Sequence, residues 1–291
     1  MTFYPPTDLV LNKENQVYHL GLSPDNIADI ILLVGDQDRV QLISAFFSDI
    51  EHTSQHREFT CQTGYYKGKR ISALSTGIGT DNIDIVVNEL DALVNIDLSE
   101  RIEKKIKKSL NLIRIGTCGI LQPHIPVHSY IISEFAIGFD NVAHYYNLNF
   151  SKEEIELINE FKKQVELPKN IIPYCSASNK NLLNLLNTND TFKGVTITSS
   201  GFYGPQGRSL RLKTHTENLH IPLGQFSFNG HSITNFEMES SALFSLSNAL
   251  GHKASTICLG IANRPNFEFS NGYLNEMNKL IEHTLDSVIQ L

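Results

Sequence analysis

Short apolar runs, each ended by glycine or polar residues, recur along the whole chain. They are rich in Ile, Val, Leu and Thr and fall at residues 30–34, 71–75, 112–115, 130–132, 195–198 and 256–262. Runs of this length and composition are typical of strands that are buried in a sheet. The pattern therefore predicts a central sheet assembled from segments spread over most of the chain.

Between the predicted strands, apolar residues recur at helical spacing. The helical pattern covers residues 40–47, 83–90, 155–165 and 274–288. A capping box of Ser151 and Glu154 marks the start of the third of these helices. A further helix is predicted from Asn235 to Gly251, a favourable C-cap. The lysine-rich and glutamate-containing segment 98–110 is predicted to be a solvated helical face.

The elements follow one another without a repeat or a low-complexity linker. The chain has 291 residues, of which 41% are hydrophobic and 19% charged, enough for a large core. We expect an α/β fold with a single domain over residues 1–291, in which residues 1–16 form an irregular arm.

The charge balance and the cysteines limit the functional class. A net charge of −7 without a basic stretch argues against nucleic acid or an anionic membrane as partner. Cys61, Cys118, Cys175 and Cys258 form no C-x-x-C pair, which favours a reducing compartment over a disulfide framework or a zinc site. No signal-like N-terminus or bilayer-length apolar run is present. We therefore expect a soluble, cytoplasmic protein.

One predicted strand carries a charge. Arg114 interrupts the apolar run 112–115, and a presumed tight turn with two glycines follows at residues 116–119. A buried arginine must meet an anion. The hydroxyl of Thr117 and the exposed backbone N–H groups of the glycines suit a ligand phosphate. An internal pair between Arg114 and a carboxylate is the alternative, with the glycines serving only the turn.

Two further strand ends resemble phosphate-binding turns without matching a nucleotide-loop motif. The segment 35–39, Gly-Asp-Gln-Asp-Arg, follows a strand and precedes a helix, where free N–H groups could bind an anion. It lacks a Walker lysine, so a plain turn with a surface arginine stays an alternative. Residues 76–82 are glycine-rich, but Asn82 stands where a dinucleotide motif would need glycine.

The loop after the strand 195–198 could bind a planar ring. Phe202, Gln206 and Arg208 offer a stacking face and hydrogen-bonding groups for the ring edge. His215, Glu217 and His220 lack the spacing of a metal-binding motif, so we expect no metal there. Glu237 and Glu239 lie two positions apart, and one of them could pair with Arg114 or hold a sugar diol.

Taken together, these segments resemble the nucleoside phosphorylase family, and most closely its uridine phosphorylase branch. The resemblance runs from about residue 17 to 264 and rests on seven motifs in family order. They are Tyr-His-Leu-Gly-Leu (18–22), Gly-Asp-Gln-Asp-Arg (35–39), His-Arg-Glu-Phe-Thr (56–60), Ser-Thr-Gly-Ile-Gly (75–79), Ile-Arg-Ile-Gly-Thr-Cys-Gly (113–119), Phe-Tyr-Gly-Pro-Gln-Gly-Arg (202–208) and Glu-Met-Glu (237–239). Each motif alone is weak evidence, but the shared order makes the resemblance specific.

The resemblance implies a mixed, twisted central sheet flanked by helices, and a pentosyltransferase of nucleoside salvage. Phosphate would attack the anomeric carbon of a nucleoside, releasing the base and ribose 1-phosphate, without a metal or an organic cofactor. The residues that the resemblance assigns are, for phosphate, Gly35, Arg39, Arg57, Arg114 and Thr117; for ribose, His19, Met238 and Glu239; and for the base, Phe202, Gln206 and Arg208. Arg114, Gln206 and Arg208 would serve catalysis most directly. His19 and Arg57 would come from a neighbouring subunit of a homo-oligomer, either a dimer or a trimer of dimers.

Some positions depart from the family pattern. Thr80, Asp81 and Asn82 stand where the family usually has Gly-Pro-Ser. Some members bind a monovalent cation near this serine and near the positions that match Glu58 and Ile78. The serine is absent from this chain, where Asn82 takes its place. The segment 98–110 is longer than in compact bacterial members and resembles the connection of dimeric ones. Cys118 is expected to be a small packed residue and not a catalyst.

We expect the base to be a pyrimidine, namely uracil. A glutamine amide both donates and accepts, so Gln206 can match an adjacent N–H and carbonyl, and Arg208 can meet the other oxygen. Purine enzymes of the family resemble one another in an aspartate after the last strand, where this chain has Asn263 and Arg264. The alternatives are a purine nucleoside phosphorylase, a nucleosidase that uses water, and a non-catalytic nucleoside-binding protein. Since water needs no arginine cluster, Arg39, Arg57 and Arg114 argue against the nucleosidase.

Overall fold

A computed structural model describes residues 2–291. The helices are α1 (Gln37–Ser44), α2 (Thr80–Asn95), α3 (Lys152–Gln164), α4 (Lys180–Leu186), α5 (His220–Gln225), α6 (Ser240–Leu250) and α7 (Leu274–Val288). The strands are β1 (Ile30–Val34), β2 (Asp49–His56), β3 (Phe59–Tyr66), β4 (Lys69–Ser75), β5 (Ile96–Asp97), β6 (Ile102–Glu103), β7 (Asn111–Ile120), β8 (Tyr130–Gly138), β9 (Tyr174–Ala177), β10 (Thr191–Thr198), β11 (Ser227–Phe228), β12 (His231–Glu237), β13 (Lys253–Asn263) and β14 (Glu268–Phe269).

One large mixed sheet organises the fold. Its strands lie side by side in the order β11-β12-β10-β8-β13-β7-β1-β4-β3-β2. The pairs β1–β4, β1–β7, β7–β13, β8–β10 and β10–β12 are parallel, while β2–β3, β3–β4 and β8–β13 are antiparallel. The end of β7 also pairs with β12, so β7, β13, β8, β10 and β12 form a closed ring. The predicted α/β fold with a mixed central sheet is confirmed, and its partial closure into a ring is a further feature.

Helices cover both faces of the sheet. Along β1, Ile31 and Leu33 belong to the core beneath α2 and α6, whereas Leu32 and its alternate neighbours belong to the core beneath α1, α4 and α7. Side chains of a strand alternate between faces, so each face buries its own apolar layer. This explains why β1 is apolar at every position: both faces are covered.

Several local predictions are confirmed. The capping box of Ser151 and Glu154 is formed at the start of α3. Gly251 ends α6 with a positive φ of 79°, a conformation that glycine adopts without steric cost. The α3 face is only partly right, because Ile155 is exposed and Leu157 is buried instead. Residues 2–16 contain no helix and only isolated bridges such as Phe3 to Ile102.

The predicted turn at residues 116–119 is wrong. Strand β7 continues through these residues to Ile120, paired along one side with β13. The glycine has another role, since a Cβ on Gly116 would overlap the guanidinium of Arg114. Gly116 therefore makes room for the arginine and does not turn the chain.

Two predicted helices are also wrong in part. Residues 98–110 form no helix: the short ladder of β5 and β6 leads into a loop, where Lys104 Nζ donates to the carbonyl of Val94 at 3.1 Å. Lys104 thus binds carbonyls in the last turn of α2 and does not belong to a helix of its own. The predicted helix 235–251 begins only at Ser240, because Asn235 pairs in register with Ile120 and Thr196 within the sheet.

Candidate active site

A cavity of about 830 Å³ opens where several strands end. It lies beyond the carboxyl ends of β1, β4, β10 and β12, the usual ligand position in such sheets, and its size suits a small molecule. Its lining includes these predicted site residues: Gly35, Arg39, Arg114, Thr117, Phe202, Gln206, Arg208, Met238 and Glu239. The fold thus brings together residues from four distant segments of the chain.

Arg114 lines the cavity and is buried beside two carboxylates. Its Nη2 donates a short hydrogen bond to Glu239, and its Nη1 lies 3.4 Å from Oε2 of Glu237. Burial alone would lower the pKa of Arg114, but the charges of Glu239 and Glu237 outweigh burial and raise it. The internal ion pair left open from the sequence is therefore present, and Arg114 faces the cavity as well.

The two glutamates are themselves fixed by hydrogen bonds. Glu237 ends β12 and accepts from the backbone N–H and the hydroxyl of Ser240, both at 2.9 Å, at the start of α6. Glu239 accepts from the backbone N–H of Gly79 at 2.8 Å, across the cavity. Burial raises the pKa of Glu239, and the charge of Arg114 opposes this shift. The site therefore pairs Arg114 with a carboxylate that is buried and hydrogen-bonded from its other side.

A second guanidinium lies near Arg114. Arg39 is carried by the first turn of α1, whose N-cap is Asp36, and its side chain is buried. Burial lowers the pKa of Arg39, and the nearby charge of Arg114 lowers it further. Gly35 and Thr117 line the same part of the cavity. Two repelling cations, a hydroxyl and a glycine turn together favour an anion at this end, because an anion relieves the repulsion.

Another part of the cavity wall is formed by the loop after β10. The guanidinium of Arg208 lies 3.9 Å above the ring of Phe202 and donates to the Phe202 carbonyl at 2.7 Å. It also donates a short hydrogen bond to Oε1 of Gln206, a buried side chain. Burial lowers the pKa of Arg208 to about 10, helped by the charge of Arg264. One face of the Phe202 ring is thus covered by arginine and not free for stacking.

Sequence reasoning missed Arg264 as a member of this group. Its Nη1 donates to the backbone carbonyl of Gln206 at 3.2 Å, and its side chain is about half-buried. Arg264 does not itself line the cavity, but it fixes the backbone of the loop that carries Gln206 and Arg208. The adjacent Asn263 is buried and donates to the carbonyls of Gln122 and Ile125, so its amide is used inside the protein. The arginine directly after the last strand was visible in the sequence, but nothing local indicated its contact with the loop.

His19 and Arg57 do not line the cavity of their own chain. The imidazole of His19 pairs with Glu89 at 2.7 Å, and the guanidinium of Arg57 lies 5.4 Å from the centre of the Tyr18 ring. The ring Nδ1 of His56 donates to the backbone carbonyl of His19, 2.8 Å away, which joins the two segments. These residues form one partly exposed cluster, which lies outside the cavity of the same chain.

Other candidate chemistry finds little support. Within residues 2–291, no three His, Cys, Asp or Glu side chains are grouped closely enough to hold a metal ion. Burial raises the pKa of the Cys118 thiol well above its usual value, which disfavours a thiolate nucleophile. Glu58, Ile78 and Asn82 lie together at the cavity wall. No helix among residues 2–291 is long and apolar enough to cross a membrane.

Comparison with known proteins is consistent with this geometry. The family model of the Phosphorylase superfamily matches residues 29–286. A uridine phosphorylase from Haemophilus influenzae is 30% identical, over 88% of this chain and 89% of its own length. A solved structure of a Trypanosoma brucei nucleoside phosphorylase, described as showing uridine phosphorylase activity, superimposes with a TM-score of 0.90 at 31% identity, over 98% of this chain and all of that one.

A purine nucleoside phosphorylase of the DeoD type from a Thermoanaerobacter species is 39% identical, but over only 40% of this chain and 44% of its own length. The full-length similarities are thus to enzymes named for uridine. The chain belongs to the Phosphorylase superfamily and, within it, to the uridine phosphorylase branch of the nucleoside phosphorylases.

Proposed function

We propose that the protein catalyses the phosphorolysis of uridine to uracil and ribose 1-phosphate. The observation that carries the proposal is one cavity whose wall combines the arginine pair Arg39 and Arg114, the buried glutamates Glu237 and Glu239, and the loop that carries Gln206 and Arg208. Phosphate forms a bond to the anomeric carbon while the bond from that carbon to the base breaks. The bonding electrons leave with the base, so positive charge builds on the ribose and negative charge on uracil. The site must therefore place charge at three positions along one line.

At the first end, Arg39, Arg114 and Thr117 would bind phosphate, with the backbone at Gly35 and a neighbouring subunit's Arg57. The positive charges of Arg39 and Arg114 repel each other, and a bound anion would offset this repulsion. This supports the assignment. Holding phosphate beneath the sugar supplies proximity and replaces a side-chain nucleophile.

In the centre, Met238 and Glu239 would hold the ribose. Burial raises the pKa of Glu239 and the charge of Arg114 opposes this rise, and the carboxylate oxygens can accept hydrogen bonds from the sugar hydroxyls. Glu239 also links the two substrates, because the same carboxylate contacts the phosphate-binding arginine. Its negative charge further favours the oxocarbenium-like ribose of the transition state.

At the other end, Phe202, Gln206 and Arg208 would bind uracil, with Arg264 holding the loop through the Gln206 carbonyl. The amide of Gln206 can match the N–H and a carbonyl of the uracil edge, while Arg208 meets the second oxygen. As negative charge moves onto those oxygens, Arg208 binds the transition state more strongly than the substrate.

The active site would be shared between the subunits of a homo-oligomer. His19 and Arg57 lie outside the cavity of their own chain, and their neighbours Tyr18 and His56 link the two segments; His19 is half-buried and Arg57 is exposed. Donation of both to a neighbouring cavity would complete the ribose and phosphate sites.

We further propose that the enzyme needs no metal or organic cofactor, and that it works in the cytoplasm, where its four free, buried cysteines stay reduced. The assignment of residues 1–291 to one domain stays a prediction.

Substrate comparison tests the proposal. Uridine, thymidine and inosine are each incubated with the enzyme and phosphate, and kcat/KM is determined from base release. We expect uridine to exceed inosine by roughly 100-fold or more, because Asn263 and Arg264 stand at the end of β13 where the resemblance places the aspartate of the purine enzymes. If inosine is the better substrate, the purine nucleoside phosphorylase takes the place of this assignment.

A further inference from the structure

The carboxylate of Glu89, on α2, is occupied by the segment that carries His19. Oε1 accepts from the ring Nδ1 of His19 at 2.7 Å, and both oxygens accept from the His19 backbone N–H at 3.0 and 3.1 Å. Oε2 also accepts from the backbone N–H of Leu20 at 2.8 Å. Glu89 lies outside the cavity lining, so these contacts serve the His19 segment and not the cavity of the same chain.

These contacts determine which ring nitrogen of His19 carries the proton. An ionised carboxylate can only accept, so Nδ1 must donate to Glu89. In the neutral ring, Nε2 then keeps its lone pair and is an acceptor. Within residues 2–291, Nε2 has no hydrogen-bond partner, and about a third of the side chain is exposed. The second nitrogen is thus fixed in direction and available to a group outside this chain.

We propose that Glu89 is a positioning residue that holds His19 so that Nε2 accepts a hydrogen bond from the 5′-hydroxyl of a nucleoside bound in the neighbouring subunit. The inference rests on the proposed function and on His19 being donated between subunits. It assigns a new role to Glu89: the carboxylate sets how strongly the enzyme prefers nucleosides with a free 5′-hydroxyl. The geometry resembles the support of catalytic and metal-binding histidines by a carboxylate behind the ring.

The test compares uridine with 5′-deoxyuridine, which lacks the hydroxyl. For Glu89→Ala we expect kcat/KM for uridine to fall about fivefold to tenfold, the value of one hydrogen bond, and that for 5′-deoxyuridine to change less than about twofold. His19→Ala should show the same selective loss, and the double variant no further loss. Glu89→Gln keeps only one acceptor oxygen, and its NH2 group faces an N–H donor of the His19 segment, so only part of the preference should return.

A second carboxylate on α2 provides the control. Asp84→Ala removes another carboxylate of α2, which accepts from the hydroxyl of Tyr146, and should leave the ratio of the two substrates unchanged. If Glu89→Ala is insoluble, the ratio is measured for Glu89→Asp, whose shorter side chain cannot reach Nδ1, and the same loss is expected. Equal losses for both nucleosides, or additive effects of Glu89→Ala and His19→Ala, would overturn the positioning role. A wild-type enzyme that cleaves neither nucleoside would instead refute the proposed function.

Discussion

Replacing Arg114 with methionine keeps most of the side-chain volume and removes the charge that faces two buried carboxylates. Nη2 bonds Glu239 and Nη1 lies 3.4 Å from Glu237, with all three side chains almost fully buried. Removing one partner of a buried ion pair costs about 3–5 kcal/mol, because the remaining charge is left uncompensated. We expect the free energy of unfolding of Arg114→Met to be lower by about that amount, measured by urea denaturation at fixed protein concentration.

The pH dependence of this loss follows from Glu239. Burial raises its pKa in the folded protein, and without Arg114 its pKa would rise further. A carboxyl group with a raised folded pKa binds its proton more tightly in the folded chain, so the penalty is greatest at high pH. The deficit of Arg114→Met should therefore be full above the pKa of Glu239 in the variant and shrink as the pH falls through it. Adding Glu239→Gln should restore much of the stability without restoring activity.

Activity should fall for a separate reason. A charge-assisted contact contributes about 1.5–3 kcal/mol, so its loss lowers kcat/KM for phosphate roughly tenfold to 100-fold at least. Initial rates of uracil release at varied phosphate concentration measure this effect. A variant with normal phosphate dependence and normal stability would refute both the ion-pair and the phosphate assignments of Arg114.

Further predictions concern the two ends of the cavity and the subunit interface. Mixing inactive Arg57→Ala and Arg114→Ala protomers after dissociation should restore some activity, because a mixed pair rebuilds one intact site; no recovery despite proven exchange would contradict a shared site. Gln206→Ala should lower kcat/KM for uridine about tenfold while affecting inosine less, since it removes the match to the uracil edge. Equal losses for the two nucleosides would show that Gln206 supports the loop and does not read the base.

Local sequence signals predicted the elements that depend on local interactions. The apolar run of β1, the capping box at Ser151 and the end of α6 at Gly251 are all determined within a few residues. The failures depend on distant partners. Gly116 was interpreted as a turn residue, but it is required by the guanidinium two positions earlier and by the neighbouring strand. Asn235 carries a helix-compatible sequence, yet pairing with β7 and β10 holds it in the sheet.

The candidate site shows the same limit. Motif order, and not periodicity, indicated the residues that the fold collects in one cavity. The role of Arg264 was missed because its contact with Gln206 joins segments 58 positions apart. The pairing of His19 with Glu89 spans 70 positions and likewise leaves no local signal. Only one of the two glutamates was expected to pair with Arg114. Because β12 ends at Glu237 and α6 begins at Ser240, both Glu237 and Glu239 contact the arginine.

The dependence of the reaction on inorganic phosphate tests the central claim most directly. Uridine is incubated with the enzyme in phosphate-free buffer and with increasing phosphate, and uracil, ribose 1-phosphate and free ribose are quantified together. We expect uracil and ribose 1-phosphate in equal amounts, at a rate that saturates with phosphate and is close to zero without it. Uracil released at the same rate without phosphate, together with free ribose, would contradict the account and identify a hydrolase in its place.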